Sequence, residues 1–346
     1  MRKSTFIGLI LLVFCLTCRF VPSVADFYAV HCYPSISMGL SWAGAALPFT
    51  LEEIVVLGFV VVLAWILVKA VRKKEGFLHW LGRTAVVLMW CYVWFYMGWG
   101  NNYYRTGLYA RNGIQRVSYE PDTFRLFLDD FTRELNDAAA RMEFYAPEAL
   151  EGEVKAFYSE KVTSYGYTAL RRWQHVRKPL LNPVFSSVGV LGYMGPFFCE
   201  SQVNRDLLPC EYPFTVAHEM GHLSGVTSEA EANYWGFACC RASENAAVRY
   251  SGYLSVLPYV VSNASGLLPE EEFNEWAATL CETAKKDYAE SREYWKGKQV
   301  LWISRFQDWF YNLYLKSNGI SEGRKDYSGV VAMIMTMDGE KYSSAR

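Results

Sequence analysis

The chain changes character near residue 100. Before that point, long apolar stretches alternate with short polar ones, and after it apolar residues recur mostly at three- and four-residue spacing. The first apolar run, residues 5–18, follows Arg2 and Lys3 and ends near Arg19, and the whole segment extends over about 5–24. It is either a short transmembrane helix or a signal peptide, with Ser23, Val24 and Ala25 as a small-residue cleavage site. Two more runs, 54–70 and 84–100, approach the length a helix needs to cross a hydrocarbon core. Between them, residues 71–83 carry Arg72, Lys73, Lys74 and Arg83, whereas 26–53 contain no Lys or Arg. The positive-inside rule puts 71–83 in the cytoplasm and 26–53 outside. Everything after about residue 100 is then extracytoplasmic, whichever reading of the first run holds.

From Pro121 the spacing predicts helices over 121–144, 147–174, 213–225, 228–243, 245–262, 268–295, 299–316 and 326–337. Pro121, Asp122, Pro147, Pro269 and the acidic run Glu270, Glu271, Glu272 are start signals. Residues 184–204 differ: β-branched and aromatic residues broken by Gly and Pro predict a short hairpin or an edge strand. The expected architecture is mainly α. Three N-terminal transmembrane helices in a membrane anchor, 1–100, precede a mostly helical domain with a small β element, 101–346.

Composition sharpens this reading. With 52% apolar and 20% charged residues, a membrane component is expected. The 24 Tyr and 12 Trp suit a bilayer interface and equally a large aromatic core. A net charge of −1 without a long basic tract leaves no electrostatic footprint for nucleic acid. The nine cysteines show no zinc-ligand spacing. Cys199 and Cys210 are either a disulfide or two free thiols.

The chemistry lies in Ala217-His-Glu-Met-Gly-His222. Residues four apart share a helix face, so His218 and His222 can present two imidazoles to one ion with Glu219 beside it. Such an ion supplies Lewis acidity and acidifies a bound water, and Glu219 is placed to accept its proton and pass it to a leaving amine. A zinc site of this kind needs a third protein ligand. Ser228 predicts the cap of a second helix carrying Glu229 and Glu231. Two helical positions differ by roughly 200° of rotation, so only one of these carboxylates can face the ion. Asn233 shares the face of Glu229, and Gly236 would allow close helix approach.

His218-Glu-Met-Gly-His222 followed by Glu229-Ala-Glu-Ala-Asn233 resembles the gluzincin type of zinc peptidase, in which the third ligand is a Glu on the next helix. The resemblance implies a zincin-like domain with His218, His222 and Glu229 as metal ligands, Glu219 as catalytic base and Zn2+ as cofactor. Over nearly its full length the chain also resembles an uncharacterised bacterial membrane family, a domain of unknown function with three N-terminal hydrophobic segments and one HExxH. That likeness rests further on Tyr33-Pro-Ser-Ile-Ser37, Leu47-Pro-Phe-Thr50, Gly192, Tyr193, Pro196, Glu200-Ser-Gln-Val-Asn204 and Tyr314-Leu-Lys-Ser-Asn-Gly319. Where such families commonly have Ala before the second His, this chain has Gly221.

The expected function is a membrane-anchored zinc metalloendopeptidase acting on proteins or peptides at the outer face of a bacterial cytoplasmic membrane. The bilayer and a polypeptide substrate are its partners. The alternative is a non-catalytic sensor or scaffold on a zincin fold, but an intact Glu219 favours the enzyme. The motif lies far in sequence from all three spans, which argues against cleavage inside the bilayer. Glu200 reads as a cleft-bordering strand residue, as a solvated strand charge or as a structural partner of Arg205, and Tyr193 as a candidate oxyanion donor. His31, His79 and His175 are not expected to be ligands. The basic run 171–178 is a solvated face or a contact for anionic lipid.

Overall fold

The computed structural model describes residues 3–117, 120–300, 318 and 329–339. It is mainly helical. Helix α1 (Lys3–Phe20) leads into α2 (Pro22–Phe27), a π-helical turn (Tyr28–Cys32) and α3 (Tyr33–Ala45), so the stretch before residue 46 is almost continuous helix rather than an open outer loop. Helices α4 (Leu51–Arg72) and α5 (Phe77–Gly98) follow as a pair.

Two of these helices, α1 and α4, are long and apolar enough to cross a membrane. Only 17% of the most apolar window of α1 and 11% of that of α4 is buried, so most of their side chains are left uncovered among the described residues. The expected third span is less apolar, because α5 mixes His79, Arg83 and a series of Trp and Tyr into its 22 residues. Several of those polar groups have protein partners: Trp94 Nε1 donates to Phe197 O (2.8 Å) and Tyr96 Oη to Asn318 Oδ1 (2.6 Å).

After a 3-10 turn (Gly100–Tyr104) and α6 (Leu108–Asn112) come α7 (Pro121–Ala140) and α8 (Pro147–Glu160). The helix expected to reach residue 174 ends at Glu160, with Gly166 in the left-handed region soon after. Strand β1 (Val176–Arg177), α9 (Asn182–Val188), β2 (Gly192–Gly195) and β3 (Glu200–Val203) come next. The strand pattern expected from 184 therefore holds only in its second half. Pro183 starts a helix, Gly189 at φ +73° ends it, and only 192–203 form the hairpin. The remaining helices are α10 (Tyr212–Leu223), α11 (Glu229–Arg241), α12 (Ala246–Leu267), α13 (Glu270–Thr279), α14 (Glu282–Lys298) and α15 (Val330–Met337). The single helix expected over 268–295 breaks between α13 and α14, where Asn136 on α7 donates to Thr279 O and accepts from Cys281 N, both at 2.9 Å. Of the helix expected over 299–316, Gln299 and Val300 are described and are not helical, and 301–316 lies outside the described residues, as do 317 and 319 of the stretch 314–319.

The sheet has order β1-β3-β2, with β1 parallel and β2 antiparallel to β3. Glu200 therefore lies on the central strand, not an edge. Residues paired across strands share a face, so Arg177, Tyr193, Gly195, Glu200 and Gln202 look one way and Gly192, Met194, Ser201 and Val203 the other. The first face meets the α3–α4 junction. Glu200 pairs with Arg177 (2.6 Å), not with Arg205, and accepts Glu52 N at 3.0 Å, while Arg177 also donates to Phe49 O and Gly44 O. Burial pushes the Glu200 carboxyl up; the Glu52 amide and Arg177 oppose it. The second face packs on α10, which lies at the centre of the core. That core runs across residue 100, taking in Tyr28, Tyr33 and Trp99 with residues of α7, α10, α11, α12 and α15. All nine cysteines are free thiols, Cys199 and Cys210 included.

Candidate metal centre

Pro213 in the first turn starts α10, and Gly225 at φ +92°, a conformation open to glycine without strain, turns the chain after it. Ser228 then caps α11 by accepting Glu231 N (3.3 Å). This tight turn sets α11 against α10. At Gly236 an added Cβ would lie 3.2 Å from His218 N and 3.3 Å from its Cα, so glycine is what lets the helices approach here.

The turn brings His218, His222 and Glu229 together, with one ligand atom from each within 4.8 Å of the others. His218 Nε2 is 3.2 Å from His222 Nε2 and 3.4 Å from Glu229 Oε2, and His222 Nε2 is 3.9 Å from Glu229 Oε1. Ligands bound tetrahedrally at about 2.0–2.1 Å are separated by roughly 3.3 Å, so the three donors match one face of a zinc tetrahedron. His222 Nδ1 lies 2.8 Å from Val226 O, which can only accept, so Nδ1 carries the proton and neutral His222 turns its Nε2 lone pair to the cluster. Glu231, on the other side of α11, accepts a hydrogen bond from Tyr167 Oη instead.

Electrostatics distinguish the four groups. Burial lowers the His222 pKa, as does its neighbour His218. His218 is also pulled down by burial, but the Glu229 hydrogen bond and the charges of Glu219 and Glu229 outweigh it and leave His218 raised. Asn233 adds to that rise, although His218 Nδ1 itself is buried with no hydrogen-bond partner. Burial pushes Glu219 up to about 8 against the pull of His218, and Glu229 adds to the rise. Its Oε2 is buried and without a partner as well. A buried carboxylate oxygen beside three ligand-type donors fits a group that handles a proton at a metal.

Sequence reasoning missed the residues that hold this centre. Trp99 Nε1 donates to His222 O (2.8 Å), and Tyr33 Oη donates to Leu223 O (2.8 Å). Tyr158 Oη donates to Ala217 O (2.9 Å), and a Cβ on Gly221 would stand 2.6 Å from that hydroxyl. A Cβ on Gly192 would stand 2.5 Å from Glu219 Cγ, so β2 lies directly against the candidate base. Tyr193 lies on the opposite face, with its Oη 3.5 Å from Glu52 Oε1, and that removes it as an oxyanion donor. Tyr33, Gly192 and Tyr193 were among the residues carrying the family likeness, but nothing in their spacing tied them to α10. His175 contacts Trp173 O and Arg177, and His31 stacks near Phe27. Neither joins the cluster.

The model of a family described as "Protein of unknown function (DUF3810)" matches residues 28–335. The chain belongs to the DUF3810 family. Comparison with curated proteins and with solved structures gave no match. The DUF3810 match begins at the π-helical turn and contains every residue of the cluster, both strands of the hairpin, α4 and α5; α1 lies before it.

Proposed function

We propose that this DUF3810 chain is a membrane-anchored zinc metallopeptidase that hydrolyses peptide bonds of proteins or peptides at the outer face of the cytoplasmic membrane. The observation that carries the proposal is the convergence of His218, His222 and Glu229 at tetrahedral spacing beside Glu219, whose Oε2 is buried without a hydrogen-bond partner. His218, His222 and Glu229 would hold the zinc. When bound, zinc polarises a carbonyl and acidifies a water. Glu219 would be the group that accepts a proton from an attacking water and hands it to the departing amine nitrogen. His222 is kept in the ligating tautomer by Val226 O. The edge strand β2 offers backbone groups along which an extended peptide would lie as it passes Glu219.

The anchor reading takes α1, α4 and α5 as three spans. Gly8 of α1 lies against Met89 and Trp90, and Phe59 of α4 against Trp94, so the three form one bundle. Arg72, Lys73, Lys74 and Arg83 stand at one end, which the positive-inside rule assigns to the cytoplasm. The candidate centre is at the other.

The test uses the purified full chain and its Glu219→Gln variant, with metal analysis and a peptide-cleavage assay on the same preparations. One zinc per chain in both, with hydrolysis in the wild type alone, is expected. Cleavage at equal rates by the two forms would remove Glu219 as the base, and zinc binding with no cleavage by either would favour the sensor or scaffold.

A further inference from the structure

Far apart in sequence, the candidate centre and the apolar helices are neighbours in space. Trp99, the residue that closes α5, hydrogen-bonds the backbone carbonyl of His222. From α4, the Glu52 carboxylate accepts the N–H groups of Phe197 (2.9 Å) and Phe198 (3.3 Å) in the β2–β3 turn. Strand β2 bridges from there to the centre. At its far end a Cβ on Gly195 would run into Glu52 Cγ, and at its near end one on Gly192 would meet Glu219. Three residues of strand span about 10 Å, and Gly192 and Gly195 face opposite sides of the sheet, so Glu219 lies roughly 10–15 Å from the first turn of α4, on the other side of the edge strand β2.

That first turn also carries an apolar collar. Glu53 accepts Leu180 N (2.7 Å) and Leu181 N (2.8 Å), pinning this loop beside the helix with Leu180, Leu181 and Val184 exposed. Trp42, near the end of α3, is 70% exposed, and the exposed side chains continue down α4 as Ile54, Leu57 and Val61. Exposed aliphatic residues with a Trp above an apolar helix are what a bilayer interface covers. Phe144, by contrast, is exposed beyond the end of α11 remote from Glu229, where its carbonyl accepts Asn245 Nδ2 from the cap of α12.

We infer that the substrates are membrane-tethered polypeptides, cut in the first few residues outside the bilayer. The inference rests on the peptidase reading above. A chain leaving the membrane beside α4 advances about 3.3 Å per extended residue, so it covers that distance in roughly three to five residues, and in fewer than about ten on a path around the edge of β2.

The experiment places the full chain in phosphatidylethanolamine–phosphatidylglycerol vesicles with a polyleucine transmembrane peptide that bears a randomised 25-residue outer flank. The same flank library without the anchor is the comparison, and cut positions are read by mass spectrometry. Glu219-dependent cuts should fall within about ten residues of the polyleucine, and the free library should be cut at least tenfold more slowly. Shared confinement to a surface raises rates at every position, so the positions decide. Cuts spread evenly along the flank, or equal cutting of the free library, would overturn the membrane-proximal assignment and leave the peptidase standing. No Glu219-dependent cut in either library would overturn both. A second arm needs no turnover: a benzophenone amino acid at Leu181 or Val184 should crosslink to lipid, and one at Phe144 should not. Lipid labelling at Phe144 alone would overturn the placement.

Discussion

Replacing Gly221 by Ala should destabilise the protein, and replacing Tyr158 by Phe should remove most of that cost. Ala is the better helix former by about 1 kcal/mol, so propensity alone predicts a gain in the middle of α10. Packing opposes it. The new Cβ would lie 2.6 Å from Tyr158 Oη, which is buried and committed to Ala217 O, so either the ring or the helix must move. Overpacking of this kind costs about 1–3 kcal/mol, giving a net loss of roughly 0–2 kcal/mol. The next ring atoms, Cζ at 3.4 Å and Cε1 at 3.5 Å, are at ordinary contact distance. Without the hydroxyl, Gly221→Ala should therefore be neutral or stabilising by up to about 1 kcal/mol, even though Tyr158→Phe alone loses a hydrogen bond of about 1 kcal/mol. The coupling between the two changes is then about 1–3 kcal/mol. Apparent Tm of the four proteins in one detergent, at one scan rate, reads it at about 2 °C per kcal/mol for a chain of this size. If Gly221→Ala shifts Tm equally with Tyr158 intact and in the Tyr158→Phe background, within about 1 °C, the steric argument fails.

Glu229→Gln should lower bound zinc at least tenfold at equal foldedness, whereas Glu231→Gln, at the carboxylate that accepts from Tyr167 on the other side of α11, should retain it; metal content by elemental analysis checks both. Retention by the first and loss by the second would move the third ligand to Glu231. Gly192→Ala forces a Cβ into the space of Glu219 Cγ and should cost roughly 10²-fold in hydrolysis while zinc content stays at one per chain. Unchanged turnover in that variant would show that β2 does not set the position of the base.

What the sequence made legible was whatever depends on local spacing. Apolar periodicity located most helices because a half-buried helix repeats its contacts every three or four residues. Ser228 marked the start of α11, and the helical rotation between Glu229 and Glu231 required that they face apart, as they do. Periodicity failed where a distant partner decides the outcome. Nothing near residue 280 announces the break between α13 and α14, since the group that satisfies the interrupted backbone is Asn136, on α7. Likewise α5 has the length of a span, but its aromatic residues answer to Phe197 and Asn318, partners that no window of twenty residues contains.

The cluster and its surroundings divide along the same line. His218 and His222 are legible because four residues of helix place them, and Glu229 because one turn returns the chain to the same spot. Trp99, Tyr33 and Tyr158 act on α10 from 59 to 190 positions away by hydrogen bonds to backbone carbonyls, and Gly192 acts from the adjoining sheet face by leaving out a side chain. A carbonyl accepts from any donor, and a missing Cβ leaves no pattern, so neither contact marks its partner in the sequence. Glu200 and Glu52 follow the same logic. Read singly they are a strand charge and a first-turn acid, yet the Glu200 side chain bonds the Glu52 amide and the Glu52 side chain bonds the turn ahead of Glu200. Each holds the other's segment, and the hairpin they fix is the one that lies against Glu219. The distance from α4 to the candidate base is thus set by two buried carboxylates whose meaning exists only in the folded chain.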